Sequence, residues 1–396
     1  MKRMHLPAAA ELIIDRLNSH GYRADIVGGA VRDLYLGVTP PDYDITTNAV
    51  PEEVKEIFKD KRTIDTGIKH GTVTIHIDGE NYEVTTYRID GEYKDARHPE
   101  NVEFTDELFL DLSRRDFTIN AMCYNHTDGI TDLFGGASDI DNRIVRTVGD
   151  ADLRFSEDAL RILRALRFAS VLDFEIEAAT RVAIFEKAHL LSMISPERIY
   201  TELKKLLSGK GAYRIIKEYK EIFESLLGIS LEMLPCECEF SRASENARLV
   251  SLYLVGSDKP RDSFDSTMLT LHTDNKIRVL GCSALSVVEE FSLNKVENAL
   301  LAMRKYGKDA VALALDAGLL AGKYGECERK CENSAILSGL PFKISELEIG
   351  GRELMAQGLR GEKIGEVLDE LLLAVIEGRV RNEREQLLSM VASLDK

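Results

Sequence analysis

The sequence predicts an α+β head, a small mixed sheet with helices, followed by an all-α neck, body and tail. Three observations predict it. Short β-rich runs with turn punctuation are confined to roughly the first 150 residues. From about residue 150 the apolar residues recur with helical period and the breaks are brief. A length of 396 residues exceeds one ordinary domain, so the chain should divide.

Taken in order, MKRMHLPAAAELIIDRLNSHG reads as an amphipathic helix. Two basic residues ahead of an alanine run look like a signal peptide, but Glu11, Asp15 and Arg16 interrupt the hydrophobic core that one would need, which points to a cytosolic, cytoplasmic protein. Ala24 to Val27 is a strand that runs into Gly28-Gly29, and Ala30 to Leu36 starts a helix. Asp42 to Thr46 reads as a second strand, and Pro51 to Phe58 as a helix with proline in its first turn. Gly71 to Ile77 and Asn81 to Ile89 alternate as strands, joined by Asp78-Gly79. The head ends near Gly149.

Composition narrows the function classes. With 44% hydrophobic and 30% charged residues the chain can bury real cores and is not a disordered polymer. No apolar run approaches the roughly 20 residues of a spanning helix, so no membrane role is expected. The cysteine pairs Cys236/Cys238 and Cys327/Cys331 lack matching histidines and read as reduced thiols. A net charge of −16 argues against a chain-wide nucleic-acid binder. RNA needs only a local basic track, however, and two candidates exist. Residues 143–167 hold Arg143, Arg146, Arg154, Arg161, Arg164 and Arg167 against four acids, and residues 198–220 hold Arg198, Lys204, Lys205, Lys210, Arg214, Lys217 and Lys220 against two.

The chemistry-bearing segment is Asp42-Tyr43-Asp44. Residues two apart on a strand share a face, so the two carboxylates repel unless a cation lies between them. Hard oxygen ligands at that separation suit Mg²⁺, which fills its remaining positions with water and phosphate oxygens. Fourteen residues earlier, Val27-Gly28-Gly29-Ala30-Val31-Arg32-Asp33 carries a strand into a helix through two glycines. Glycines admit close approach of a triphosphate, the helix N-terminus offers N–H groups, and Arg32 can fork onto phosphate oxygens.

GGAVRD followed by PDYDITTNA resembles the signature of polymerase-β-type nucleotidyltransferases, in the branch of bacterial tRNA CCA-adding enzymes and poly(A) polymerases. YEVTTYR, RRDFTINAM, DLFGG, RFSEDALRILRALRF and PERI follow in the family's order across residues 27–200, and Leu340 to Leu388 resembles its C-terminal region more loosely. The resemblance implies a polymerase-β-like head over residues 1–148, a helical neck with a nucleotide-selecting helix over 149–235 and a tRNA-binding body and tail over 236–396. It implies that Asp42 and Asp44 hold the metals with Glu83 as third carboxylate, and that Gly28, Gly29 and Arg32 hold the triphosphate. Arg115 would bind the incoming nucleotide, with Asp116 and Asn120 near its sugar.

The EDALR segment also has a physical reading. Asp158 and Arg161 lie three apart on an expected helix, so an acceptor and a donor set become neighbours. Adenine and cytosine share the amino-donor and ring-acceptor order that such a pair matches, whereas guanine and uracil reverse it. ATP and CTP would then be selected without a template, with Arg164 and Arg167 reaching the same nucleotide. Asp90 to Pro99 resembles the flexible loop of members that add the terminal A, which leaves CCA addition as the expected activity and A-only addition or polyadenylation as alternatives. The RNA partner would be the acceptor and T-arm of tRNA, held by shape.

Overall fold

The computed structural model describes residues 4–91 and 102–394. The chain forms two compact units, Met1–Ile215 and Ile216–Lys396. The first opens with α1 (Ala8–Ser19), whose Ala9, Ala10, Ile13, Ile14 and Leu17 are buried at helical spacing. Strand β1 (Ala24–Val27) then passes through Gly28, at φ 75°, into α2 (Gly29–Tyr35). The left-handed φ is the reason glycine stands there. Next come β2 (Ile45–Thr47) and α3 (Pro51–Ile57), where Pro51 occupies the first turn and the Glu53 side chain accepts from the Val50 N–H at 2.9 Å.

Strands β3 (Arg62–Gly67), β4 (Thr72–Ile77) and β5 (Glu80–Thr86) form a meander. Asp78 and Gly79, at φ 53° and 85°, make the tight turn between β4 and β5 that their sequence announces. The hairpin β6 (Arg88–Asp90) and β7 (Val102–Phe104), helix α4 (Leu108–Ser113), and the hairpin β8 (Met122–Asn125) and β9 (Gly129–Asp132) complete the head's strands. Helices α5 (Gly136–Asp141), α6 (Ala151–Glu157), α7 (Leu160–Leu172), α8 (Ala178–Lys187) and α9 (Pro196–Leu207) follow.

Among the described residues the main sheet has seven strands in the order β3-β4-β5-β2-β1-β8-β9, antiparallel throughout except for β2 beside β5. It is the mixed sheet the sequence predicts, with two boundary corrections and one addition outside it. The strand expected from Asp42 begins only at Ile45, although the Val27 N–H donates to the Asp44 carbonyl at 3.0 Å and carries the ladder one residue further. The strand expected over Asn81–Ile89 breaks at Tyr87, a buried side chain. The helical remainder holds a two-residue strand, Glu175–Ile176, parallel to Ile144–Val145.

Register decides which side chains share a face. Ile26, Ile45 and Val84 are mutual partners on the apolar face, where Val73, Ile75 and Tyr82 are buried. The opposite face carries Asp25, Thr46 and Thr85 as partners across three strands. Two residues back along their strands, Asp44 and Glu83 fall on that second face beside each other. Gly136 seals α5 to the Thr118 carbonyl, which an added Cβ would meet at 2.2 Å, and Asp132 caps the same turn by accepting from the Gly136 and Ala137 amides.

The second unit is helical among its described residues. Its long helices Glu245–Gly256, Asn275–Glu290, Lys308–Leu320 and Glu362–Ile376 each bury an apolar stripe. Near its end Ile349, Leu354, Leu371, Leu387 and Val391 form one cluster. In the same region Gly351 lies against Ile364, while Gly358 and Gly361 take φ 96° and 63°. No described helix is long and apolar enough to cross a membrane.

Candidate active site

A cavity of about 510 Å³ opens on the polar face of the sheet. It gathers Gly28, Gly29 and Arg32 from the β1–α2 turn, Asp42 and Asp44 from the lead-in to β2, and Arg115, Asp116 and Asn120 from the turn after α4. Asp158, Arg161, Arg164 and Arg167 close it from α7 and the residues just before it. Of the residues expected to act, only Glu83 is not on its wall. Arg114 and Phe168 also line it, and the sequence reading assigned neither a role. A larger cavity of about 970 Å³ between the N-terminal segment, α2, Tyr43 and Ile130 offers neither carboxylate nor guanidinium and is a separate feature.

The acidic side is crowded. Asp44 is held up at about 6 by partial burial first and then by the charges of Asp42 and Glu83, against which Arg115 acts in the other direction. This is the response of carboxylates placed together without a counter-ion, and a divalent cation would relieve it. No three acidic, histidine or cysteine side chains among the described residues are arranged as a closed metal cage. Two carboxylates are enough for a cation that draws its other ligands from water and phosphate. Asp42 and Asp44 therefore fit such an ion, with Glu83 alongside on the same face of the sheet.

The basic side is a lattice of pairs. Arg32 donates to Asp33 at 2.8 Å and to the Asn120 side-chain oxygen at 2.7 Å, and Asn120 donates to Asp116 at 3.1 Å. Asp116 accepts from Arg164 Nε at 2.8 Å. Burial pushes the Asp116 carboxyl up, but Arg164, Asn120 and Arg161 outweigh burial and hold it down at about 2. So Asp116 and Asn120, expected near the nucleotide's sugar, serve at least to fix Arg32 and Arg164. The ring of Phe168 carries three guanidiniums, with Arg32, Arg164 and Arg167 at 5.1, 5.5 and 4.1 Å from its centroid. Arg115 is steadied by Asp111 at 3.4 Å, and its Nε is buried without a partner. A Cβ on Gly28 would come within 3.1 Å of its guanidinium. An unsatisfied cationic N–H beside a glycine turn is what an anionic ligand would complete.

The expected i,i+3 pair is corrected. Asp158 ends α6 in an extended conformation, φ −139° and ψ 100°, and its carboxylate accepts from the Leu160 N–H at 3.0 Å. Asp, with its short acceptor side chain, favours such a cap over a helix interior, so the helix breaks there. Arg161 pairs with Glu157 at 2.6 Å and donates to the Arg154 and Arg114 carbonyls, while Asp158 takes Arg198 at 3.2 Å. Both still face the cavity.

The basic tracks also separate. All six arginines of residues 143–167 have an acidic partner: Asp173, Asp139, Glu157, Glu157, Asp116 and Glu202 in order. Every arginine of that track is therefore balanced by an acid, so its positive charge is largely compensated locally. In the second, Lys204, Lys205 and Lys210 are exposed, and no ion pair involves them among the described residues. The expected flexible loop, beyond Gly91, lies outside the described residues.

Three family models match the chain: the poly(A) polymerase head domain over residues 24–146, the RNA- and SrmB-binding region of polymerase A over 173–222, and tRNA nucleotidyltransferase domain 2 over 242–391. The chain is 36% identical to the CCA-adding enzyme of Lactobacillus gasseri, over 96% of this chain and 97% of that one. It is 37% identical to the CCA-adding enzyme of Geobacillus thermodenitrificans, over 95% and 94%. The solved CCA-adding enzyme of Bacillus stearothermophilus in complex with CTP superposes with a TM-score of 0.76 at 31% identity, covering 99% of this chain and 98% of that one. The Thermotoga maritima CCA-adding enzyme complexed with tRNA, 22% identical with a TM-score of 0.70 over 98% of this chain and 95% of that one, shares the fold.

Proposed function

The chain belongs to the CCA-adding enzymes, a family of nucleotidyltransferases, and from that premise we propose that it adds CCA to tRNA 3′ ends from CTP and ATP, without a template, through the cavity on the polar face of its sheet. The observation that carries this reading is the meeting, in one cavity, of a glycine turn, two carboxylates and a row of guanidiniums.

The reaction forms a bond from the RNA 3′-oxygen to the α-phosphorus of the nucleotide and breaks the bond to the β-phosphate oxygen, releasing pyrophosphate. Magnesium is the divalent ion we assign to Asp42 and Asp44, where it would acidify the hydroxyl and steady the leaving pyrophosphate. Gly28 and Gly29 let the triphosphate lie against backbone at the start of α2, and Arg32, pre-set by Asp33 and Asn120, faces its oxygens. Arg115 brings its unpaired Nε to the same anion. Glu83 keeps the local field negative beside Asp44, which favours cation retention. For base choice, Asp158 supplies the acceptor for the amino group shared by cytosine and adenine. Arg161, with three of its N–H donors already engaged, keeps others for the ring nitrogen.

The test is incorporation of labelled CTP or ATP into tRNA ending at the discriminator base, at C or at CC, with magnesium. CCA addition gives C on the first two and a single A on the last. A long A tail would reassign the chain to polyadenylation, and A on the last substrate alone would reassign it to A-only addition.

A further inference from the structure

Phe109 and Phe134 form an exposed aromatic pair that the transfer chemistry does not use. Their ring centroids are 5.3 Å apart and the planes are tilted by 31°. Phe109 is 53% exposed, and the neighbouring Leu133 is 46% exposed. Exposed apolar side chains side by side offer a flat partner a surface to rest on.

The pair adjoins the cavity wall through α4 and a buried apolar cluster. Phe134 packs on Val27, Leu112 and Cys123. Val27 and Cys123 are register partners, and Val27 lies on the face that carries Asp44. That footing begins one strand spacing, about 5 Å, from Asp44. Val27 leads directly into Gly28, and the carbonyl of Leu112 accepts from the Arg115 N–H at 3.2 Å. Helix α4, which carries Phe109, thus hands the chain straight to Arg114 and Arg115 on the cavity wall.

We propose that Phe109, backed by Phe134, is a stacking platform for an unpaired base at the 3′ end of the RNA primer. The inference rests on the nucleotidyl-transfer reading above. The hydroxyl that reacts must reach Asp44 at the end of a single strand, and on this proposal a base near that end rests on Phe109. Every base has a π-face, so the platform would accept whichever nucleotide the growing end carries, as a primer-binding surface must when its terminus changes after each addition. Arg114 and Arg115 give the adjoining backbone cationic neighbours.

The experiment uses the full chain as Phe109→Ala, Phe109→Tyr and Phe109→Trp variants. Because the side chain is exposed, the alanine variant should keep the wild-type melting temperature. With saturating CTP, its KM for tRNA ending in C should rise about tenfold, within the range expected for removal of one base stack. The KM for CTP should not change, and Phe109→Tyr should restore the RNA KM. Tryptophan fluorescence of Phe109→Trp, in a chain that has no native tryptophan, should be quenched by a short single-stranded RNA without magnesium or nucleotide. An unaltered RNA KM in the alanine variant, while wild type adds C, overturns the platform. So does an unquenched Phe109→Trp, or a wild-type dimer that Phe109→Ala dissolves, which would make the face a protein contact. A wild-type chain that adds no nucleotide while Phe109→Trp is quenched refutes the transfer reading and leaves the platform standing.

Discussion

Asp44 concentrates the tension of the site in one side chain. Its carboxyl is raised to about 6 by partial burial, Asp42 and Glu83. A folded-state value above the unfolded one means that the native chain binds the extra proton, so stability falls as pH rises from about 4 to about 6 and is flat beyond. Asp44→Asn should therefore be more stable than wild type at pH 7.5, by the order of 1 kcal/mol after allowance for solvent screening, and equal to it near pH 4. The same variant should lose transfer activity. Magnesium should raise the wild-type melting temperature at pH 7.5 and much less at pH 5, and should leave Asp44→Asn nearly unmoved. Calorimetry across that pH range reads all of this, and a magnesium shift independent of pH would remove Asp44 from the metal site. The glycines and this carboxylate pair were legible in the sequence because their relation is local: two residues apart, or one turn. Phe168 and Arg114 were not, since one needed the fold to bring Arg32 to the ring and the other needed Asp111, buried four residues from Arg115, to show that the segment faces the cavity. An acid inside the apolar run Leu108–Ser113 was the available signal.

The break between α6 and α7 shows the same lesson for elements. Sequence spacing places Asp158 and Arg161 on one helical surface, yet a capping side chain can end the helix it was read into. Both side chains nevertheless line the cavity, Asp158 from the break and Arg161 from the first turn of α7. Asp158→Asn tests base choice without disturbing the element, as asparagine caps as well as aspartate. The melting temperature should hold within about 2 °C. C addition should fall about a hundredfold, and the preference for CTP over UTP should collapse toward unity, because the amide offers a donor where cytosine brings one. Undiminished selectivity in competition assays would move base reading to another residue. Strand placement was legible where alternation and a tight turn agreed, as in β4 and β5 around Asp78-Gly79. It failed for β3, β8 and β9, where no alternation was read, and β8 and β9, at four residues each, are too short to express a period.

Across the molecule, the question is how a chain of net charge −16 holds a polyanion. The structure answers by separating paired cations from unpaired ones. The arginines of α6, α7 and their surroundings neutralise acids, and those of α7 line the cavity, so they add little to long-range attraction. Helix α9 works differently: Ile199, Leu203, Leu206 and Leu207 bury one side, and Lys204 and Lys205 stand exposed on the other. These lysines lie within the stretch that matches the RNA-binding region of polymerase A. Reversing both, as Lys204→Glu with Lys205→Glu, should leave stability within about 0.5 kcal/mol of wild type because neither is buried or ion-paired. It should weaken tRNA binding at least tenfold at low salt and leave the KM for CTP unchanged. The slope of log affinity against log salt should flatten by roughly two, one for each phosphate that a lysine no longer neutralises. Filter binding between 50 and 200 mM KCl decides the matter. A parallel salt line with unchanged affinity would place the RNA backbone on another surface and leave α9 a purely structural helix.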